Sequence, residues 1–327
     1  MSRPKVYVTR MIPEPGLLLL REHCDVMVSD RDRPLTREEL LTNVRDADGV
    51  IGQLTDKIDA GFFNAALKLK GYANYAVGFD NIDVAEASRR GMPVSNTPDV
   101  LTQATAEMAW ALLFAVARRV VETDALMRTG VWPGWGPLQF LGLDVSGKTL
   151  GILGPGRIGQ AMALMSRGFN MSVVYHGGSK PALAIEKELG GRRVDFDELL
   201  AHSDFISIHA PLTPQSRHLF GASAFAKMKS SAVIVNTARG PIIDETALVA
   251  ALREKTIAGA GLDVFEFEPK TAEGLKELPN VVITPHTGSA TRSARENMSL
   301  LAARNLLAML QGKTPPTCLN PEVLGKK

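Results

Sequence analysis

The sequence predicts an α/β protein with two doubly wound parallel-sheet domains, and two observations carry this prediction. Short apolar strands alternate with helical segments along most of the 327 residues, which is typical of βαβ units and parallel sheets. A long helical stretch, about residues 102–128, contains no Gly or Pro and divides the strands into two series. The simplest interpretation places one domain at 1–100 and another at 101–287, with the active site in the cleft between them.

The strands of both series are runs of apolar or β-branched residues bounded by turn-forming residues. In the first series they are residues 5–9, 25–29, 49–53, 71–76 and 93–97, separated by helical segments such as 36–47 and 81–91. In the second series they are residues 148–153, 171–176, 205–210, 231–237, 258–265 and 280–285. A final helix, about 290–310, could pack on either domain.

The composition excludes several classes of partner. Lys plus Arg is 37 and Asp plus Glu is 35, so no basic excess favours nucleic acid or a membrane surface. Cys24 and Cys318 lie far apart and suit neither a disulfide framework nor a metal cluster, which predicts a cytoplasmic protein without a metal site. The longest apolar run, residues 108–117, is shorter than the roughly 20 residues that span a bilayer. The opening residues show no export signal.

A glycine-rich loop follows the first strand of the second series. Gly154, Gly156 and Gly159 of GPGRIG fit the G-x-G-x-x-G spacing. In such a loop the first glycine permits a tight turn, the second lets the backbone approach a pyrophosphate, and the third lets the helix lie close to the sheet. The motif alone is weak evidence and could be a structural turn. Here it lies between a strand and a helix, the context it requires, and it predicts a dinucleotide-binding site.

The next strand, residues 171–176, ends without the acidic residue that binds the ribose 2′-hydroxyl in NAD sites. Gly177 and Gly178 stand there, followed by Ser179 and Lys180. An acid would repel a 2′-phosphate, whereas a small loop with a hydroxyl group and a lysine could receive one. We therefore favour NADP(H) over NAD(H). The alternative is a solvated turn beside which NAD(H) binds without this contact.

Three ionisable residues follow strands of the second series: Arg239, Glu268 and His286. Ligands of open α/β sheets bind beyond the carboxyl ends of the strands. A guanidinium could bind a substrate carboxylate, and an imidazole could supply the proton that a reduced carbonyl needs, oriented by a carboxylate. Alone, each could be a surface charge or a loop residue, and His209 is a second histidine at a strand end. Together the three residues predict a 2-keto acid reductase.

Several segments of the sequence resemble the D-isomer-specific 2-hydroxyacid dehydrogenases, and most closely the glyoxylate/hydroxypyruvate reductases. They are GPGRIG, HAPLT, NTARGPIIDETAL, AGLDVFEFEP and PHTGSAT, with YAVGFDNIDVAEASRRGMPVSNTP in the first domain. The resemblance covers nearly the whole chain. It implies a Rossmann nucleotide-binding domain and a flavodoxin-like substrate domain, which residues 288–327 complete. It also implies a homodimer.

The resemblance further implies roles for single residues. Arg239 would bind the substrate carboxylate and polarise the carbonyl, and His286, paired with Glu268, would donate the proton. The cofactor would be bound by Gly154, Gly156, Arg157, Ile158, Gly159, Gly177, Ser179, Lys180, His209, Ala210, Pro211, Ala238 and Asp263. The substrate would be bound by Arg239, Trp135 and the backbone N–H groups of Val77 and Gly78. Trp135 lies in a segment rich in Trp and Pro, 132–142, that could equally serve ordinary packing.

The expected activity is the NAD(P)H-dependent reduction of a small 2-keto acid, glyoxylate or hydroxypyruvate, to the D-2-hydroxy acid. Two alternatives stay open. One is a reductase of larger 2-keto acids, of the 2-ketogluconate or phenylpyruvate type, which would differ in the volume of its pocket. The other is a non-catalytic NAD(H)-sensing binding protein of the same fold.

Overall fold

The computed structural model describes residues 3–324, and the chain divides into two compact units. The first unit combines the N-terminal part, as far as Leu101, with the C-terminal part from Ala290. The second unit is Thr102–Ser289. Within residues 3–324 no helix is long and apolar enough to cross a bilayer, and no group of His, Cys, Asp and Glu side chains there could hold a metal ion.

The first unit contains a parallel sheet of five strands in the order β2-β1-β3-β4-β5, which is the order of flavodoxin-like folds. The strands are β1 (Lys5–Val8), β2 (Asp25–Val28), β3 (Gly49–Gly52), β4 (Gly71–Asn74) and β5 (Val94–Ser95). The helices are α1 (Glu14–His23), α2 (Arg37–Asn43), α3 (Ala60–Ala65), α4 (Val84–Arg89) and, from the end of the chain, α12 (Arg292–Leu310). All strands of the first predicted series are therefore present.

The last helix, α12, closes the first unit by packing on α1, β3 and β4. Gly16 of α1 lies so close to α12 that a Cβ at this position would be 2.4 Å from the carbonyl oxygen of Ser299. Asn305 of α12 donates hydrogen bonds to the Asn96 carbonyl and the Thr317 hydroxyl. The chain that follows the helix is thereby held next to β5.

The second unit contains a parallel sheet of seven strands in the order β12-β11-β10-β9-β6-β7-β8. With β6 as its first strand, this is the Rossmann order extended by one strand. The strands are β6 (Thr149–Leu153), β7 (Ser172–His176), β8 (Arg192–Arg193), β9 (Phe205–Ile208), β10 (Val233–Asn236), β11 (Gly259–Leu262) and β12 (Val281–Ile283). The helices are α5 (Thr102–Ala117), α6 (Val120–Thr129), α7 (Arg157–Met165), α8 (Leu183–Leu189), α9 (Phe196–His202), α10 (Ala222–Phe225) and α11 (Glu245–Arg253). The predicted pair of doubly wound parallel sheets is confirmed.

Helices cover the second sheet on both faces, and its central strands β9, β10 and β11 are buried along their whole length. In β10, Ile234 packs in an apolar cluster with Leu248 of α11. Its neighbours Val233 and Val235 pack in another cluster with Trp110 of α5. Successive strand residues point to opposite faces of a sheet, so a strand buried on both faces is a continuous apolar run. This explains why β10 is recognisable in the sequence.

The single helix predicted over residues 102–128 is wrong. α5 ends at Ala117, and α6 begins after Arg119, whose φ is +53°. The Ala117 carbonyl accepts a hydrogen bond of 2.8 Å from the backbone N–H of Leu143 rather than from the next helical turn. The Arg119 guanidinium binds the Glu122 carboxylate with two hydrogen bonds of 2.8 Å. The returning chain at Leu143 and this ion pair accompany a break that no Gly or Pro marks.

The sequence analysis also misses β8, the edge strand that pairs with β7. Arg192 and Arg193 are both exposed. Two exposed arginines show neither an apolar run nor an alternation, so the patterns that predict strands do not detect them.

Candidate active site

The glycine-rich loop connects β6 to α7, as its motif requires. Gly154 has a φ of +84°, and a Cβ there would be 2.5 Å from the backbone nitrogen of Ala210, so only glycine fits. A Cβ on Gly156 would meet no atom within 4 Å. Gly156 is also the N-cap of α7 and provides no side-chain cap, and the N-terminus of a helix favours an anion. The open space at Gly156 therefore fits the pyrophosphate of a dinucleotide.

The loop after β7 contains no acidic residue. Gly177 and Gly178 have φ values of +90° and +76°, a conformation that L side chains rarely adopt. Ser179 and Lys180 follow and are exposed. Within residues 3–324 neither of these two side chains has a hydrogen-bond or ion-pair partner.

His209 follows β9 and lies next to Gly154, where its ring is removed from water. Its Nε2 atom is 2.8 Å from the Ser207 hydroxyl oxygen. Removal from water lowers the pKa of His209 to about 3, so the ring is neutral near pH 7. Of the two histidines that end strands on this side, His286 is therefore favoured as the proton donor, and that role stays a prediction.

Arg239, Glu268 and His286 follow β10, β11 and β12, which are neighbours in the sheet. The Nδ1 atom of His286 is 3.0 Å from Oε2 of Glu268. The positive charge of Arg239 acts on the same carboxylate. The structure therefore brings together the three residues that the sequence places after separate strands.

The charges around Glu268 keep it ionised. Burial raises the pKa of the Glu268 carboxyl, but the hydrogen bond and charge of His286, the N–H of Phe265 and the charge of Arg239 together lower it below its ordinary value. An ionised Glu268 accepts a hydrogen bond from the N–H at Nδ1 of His286. This leaves the Nε2 atom of His286 for a substrate. Within residues 3–324, Nε2 has no hydrogen-bond partner.

Close backbone packing positions Arg239. A Cβ on Gly240 would be 1.9 Å from the carbonyl carbon of Phe265, so a larger residue there would push the Arg239 segment away from the segment of Glu268. Asn236 donates a hydrogen bond of 2.9 Å to the Arg239 carbonyl, and the N–H of Phe265 donates to Glu268 at 3.1 Å. Gly240 and the side-chain amide of Asn236 together fix the segment after β10 relative to the segment after β11.

Asp263, which the resemblance assigns to the cofactor, holds the segment that contains His286. Its side chain is 1% exposed. Its Oδ1 accepts hydrogen bonds from the Thr284 hydroxyl at 2.6 Å and the Thr287 N–H at 2.7 Å, and its Oδ2 accepts one from the Gly288 N–H at 2.6 Å. The His286 N–H donates to the Asp263 carbonyl at 2.9 Å. Its contact with a dinucleotide stays a prediction.

Glu245, at the start of α11, is a residue of the site that the sequence analysis misses. It is 2% exposed, and burial raises the pKa of its carboxyl. Its oxygens accept hydrogen bonds from the N–H groups of Glu266 at 2.5 Å and Ala272 at 2.8 Å. Glu245 therefore holds both ends of the loop that contains Glu268. Its position one residue after the N-cap Asp244 suggests only a helix start.

In the first unit, two asparagines fix the turn of Val77 and Gly78. Asn96 donates a hydrogen bond of 2.7 Å to the Val77 carbonyl, and Asn74 donates one of 2.8 Å to the Gly78 carbonyl. Within residues 3–324 the N–H groups of Val77 and Gly78 have no acceptor. They are thus available to a ligand anion, and their contact with a substrate carboxylate stays a prediction.

Trp135 lies on the surface of the second unit. Its side chain is 82% exposed, so packing within this chain does not account for it. Its segment follows α6 and also exposes Trp132, Leu138 and Leu141. The role of Trp135 in substrate binding stays a prediction.

A Rossmann sheet with an open glycine loop, and an Arg, a Glu and a His at its strand ends, defines a dinucleotide-dependent oxidoreductase. The chain belongs to the D-isomer specific 2-hydroxyacid dehydrogenase family, since residues 110–288 match the NAD binding domain of that family and full-length relatives are closely similar. A glyoxylate reductase of Thermococcus onnurineus is 51% identical, with 98% of this chain and 97% of the relative covered.

Solved structures agree with this assignment. A protein of Thermus thermophilus has a TM-score of 0.90 and 46% identity, over 96% of this chain and 99% of that one. An NADPH-dependent glyoxylate/hydroxypyruvate reductase of Sinorhizobium meliloti, in complex with NADP and malonate, has a TM-score of 0.85 and 33% identity, over 97% of both chains.

Proposed function

We propose that this oxidoreductase reduces glyoxylate or hydroxypyruvate with NADPH, with His286 as the proton donor. The observation that carries the proposal is the 3.0 Å contact between His286 and Glu268, on whose carboxylate the charge of Arg239 also acts. The 51% identity to a glyoxylate reductase supports the substrate.

The chemistry follows from the charges of these three side chains. When bound, a nicotinamide cofactor would provide the hydride for the carbonyl carbon of the substrate. The Arg239 guanidinium binds the substrate carboxylate and polarises the neighbouring carbonyl. As negative charge develops on the carbonyl oxygen, His286 donates the proton of Nε2 to it. Glu268 holds the ring through Nδ1 and stabilises its protonated form before the transfer.

The second unit is proposed to bind the dinucleotide and the first to bind the substrate. The pyrophosphate would lie at Gly156, and the loop of Gly177, Ser179 and Lys180 would receive the 2′-phosphate. The free donors of Ser179 and Lys180 and the absence of an acid in this loop support NADPH. The other predicted cofactor contacts are Gly154, Arg157, Ile158, Gly159, His209, Ala210, Pro211, Ala238 and Asp263.

We also propose a homodimer formed through the second unit. α6 buries none of its side chains, although Val120, Val121 and Met127 are apolar and about half exposed. A groove of about 560 Å³ runs beside α6, and Val121 and Leu141 are among its lining residues. Exposed apolar side chains on a helix beside an open groove are typical of an interface. The unpaired cysteines, Cys24 and Cys318, support a cytoplasmic location.

Steady-state kinetics of the purified protein test the function. Glyoxylate, hydroxypyruvate, 2-ketogluconate and phenylpyruvate are compared as substrates, each with NADPH and with NADH. We expect the highest kcat/KM for glyoxylate or hydroxypyruvate, and a preference for NADPH of about tenfold, equal to about 1.4 kcal/mol. A higher kcat/KM for either larger acid would contradict the proposed substrate. Binding of NADPH without turnover of any of the four would contradict the enzyme itself.

A further inference from the structure

We propose that Arg193 is a specificity-determining residue that binds the 2′-phosphate of NADPH, an inference that rests on the proposed cofactor preference. Arg193 lies on β8, at the edge of the sheet, and pairs in register with Tyr175 of β7. Its Nη2 atom donates a hydrogen bond of 2.7 Å to the carbonyl oxygen of Gly178. The guanidinium therefore lies against the loop where an NAD site would have an acid.

The charge of Arg193 is not neutralised by an ion pair. Within residues 3–324 no carboxylate forms a salt bridge with it. Glu186 of α8 is not the partner of Arg193 among the described residues, and it accepts a hydrogen bond of 2.5 Å from the Tyr175 hydroxyl. The preceding residue, Arg192, differs in this respect because it forms a 2.5 Å ion pair with Glu198. Of the two arginines on β8, Arg192 is paired with an acid and Arg193 contacts the loop that follows β7.

The donors at this loop suit a phosphate. A guanidinium has five N–H groups in a planar fork, and Gly178 uses only one of the nitrogens. The fork can therefore bind two phosphate oxygens at once. The ammonium of Lys180 and the hydroxyl of Ser179 belong to the same loop, and neither has a partner within residues 3–324. Two positive charges and a hydroxyl group, with no acid in the loop, are complementary to a dianionic phosphate.

The loop geometry explains why an arginine from another strand is needed. The positive φ values of Gly177 and Gly178 favour glycine, so these two positions have no side chain that could contact a phosphate. The first side chains after β7 are those of Ser179 and Lys180, and neither can form a bidentate contact. Arg193 reaches the same loop from β8, 15 residues further along the chain than Gly178, so the motif itself does not reveal it.

Binding of adenosine 2′,5′-bisphosphate and of 5′-AMP tests the inference without catalysis. These two nucleotides differ only in the 2′-phosphate, and isothermal titration calorimetry measures both with the full chain. We expect Arg193→Ala to raise the Kd of the bisphosphate about tenfold or more and to leave that of 5′-AMP within about twofold. Arg192→Ala is the matched control and should change neither Kd. Arg193→Lys should show an intermediate loss, because it keeps the charge and loses the fork.

Three results would overturn the inference, and they are distinguishable. If the unsubstituted protein prefers the bisphosphate and Arg193→Ala keeps that preference, Arg193 does not bind the phosphate and the proposed NADPH preference stands. If Arg193→Ala weakens both nucleotides equally, Arg193 only supports the loop. If the unsubstituted protein binds both nucleotides equally, the cofactor preference is wrong as well. The reduction of 2-keto acids would still be tested separately with NADH.

Discussion

At the scale of single residues, Glu268 is the carboxylate that we propose holds the ring of the proton donor, His286. Its pKa in the folded protein is below the ordinary value of 4.5. A carboxyl group of this kind contributes stability that is fully present above its unfolded pKa, and the contribution is lost as the pH falls through the lowered value. Near neutral pH the carboxylate is therefore charged and faces His286.

Glu268→Gln keeps the size of the side chain and removes its charge. We expect kcat/KM near pH 7 to fall about 10- to 100-fold and the pH–rate profile to move to lower pH, because the protonated ring of His286 loses a stabilising neighbour. Glu266→Gln is the matched control, since Glu266 binds His218 at 2.6 Å instead. An unchanged pH profile in Glu268→Gln would contradict this role.

Glu245→Gln tests how the loop that contains Glu268 is held. The amide of glutamine cannot accept hydrogen bonds from both N–H groups on separate atoms, because one of its two terminal atoms is an NH₂ donor that would face an N–H group. We expect a loss of about 1–3 kcal/mol in the free energy of unfolding and a lower kcat with little change in KM. Urea unfolding and steady-state kinetics measure these effects. The exposed Glu273, changed to Gln, is the control. Unchanged stability and kcat would show that Glu245 does not position the loop.

The residues that the sequence analysis found differ physically from those it missed. Arg239, Glu268 and His286 lie in the segments that follow the apolar strands β10, β11 and β12, and strand ends are where ligands bind in this type of sheet. Glu245 and Arg193 act through backbone groups 21 and 15 positions away along the chain. Such hydrogen bonds depend on tertiary structure and leave no local pattern. For that reason the sequence points to Arg239, Glu268 and His286 but to neither Glu245 nor Arg193.

At the scale of elements, the sequence predicts those strands and helices whose pattern of apolar residues follows from their own burial. Strands buried on both faces were predictable because they are continuous apolar runs. The division of residues 102–128 into α5 and α6 was not, because the Ala117 carbonyl is bound by Leu143, far along the chain. β8 was not predictable either, since an edge strand of two exposed arginines owes its conformation to its neighbour β7.

The connection of β6 to α7 provides a prediction at this scale. Gly154→Ala places a methyl group against the backbone of Ala210 at a positive φ, so we expect a lower melting temperature. Gly156→Ala meets no protein atom, so it should leave the melting temperature nearly unchanged and raise the Kd of the dinucleotide about tenfold or more. Differential scanning calorimetry and nucleotide titration separate the two effects. Equal cofactor binding by Gly156→Ala and the unsubstituted protein would exclude the pyrophosphate from this position.

At the scale of the whole molecule, each unit has its own sheet and its own apolar core. Burying the exposed apolar residues of α6 and of the groove beside it would contribute free energy to self-association. The resemblance to the family implies the same assembly. We therefore expect the molecule to associate with a second copy through this surface.

Val121→Asp on α6 tests the dimer. A charge at this position would have to be buried in the interface without a partner, so we expect dissociation to the monomer at micromolar concentration. Size-exclusion chromatography with light scattering gives the mass. Leu183→Asp on α8 is the control, since Leu183 is exposed to a similar extent, 55%. A protein that is monomeric before substitution, or a Val121→Asp variant that stays dimeric, would contradict this interface.

The kinetics of His286→Asn test the central claim most directly. Asparagine tolerates the left-handed backbone of this position, where φ is +54°, and it cannot act as a general acid. We expect kcat/KM for glyoxylate with NADPH to fall about 10²- to 10⁴-fold, the usual contribution of a general acid. The Kd of NADPH should stay within about twofold. A variant that kept kcat/KM within about threefold of the unsubstituted protein would show that His286 is not the proton donor.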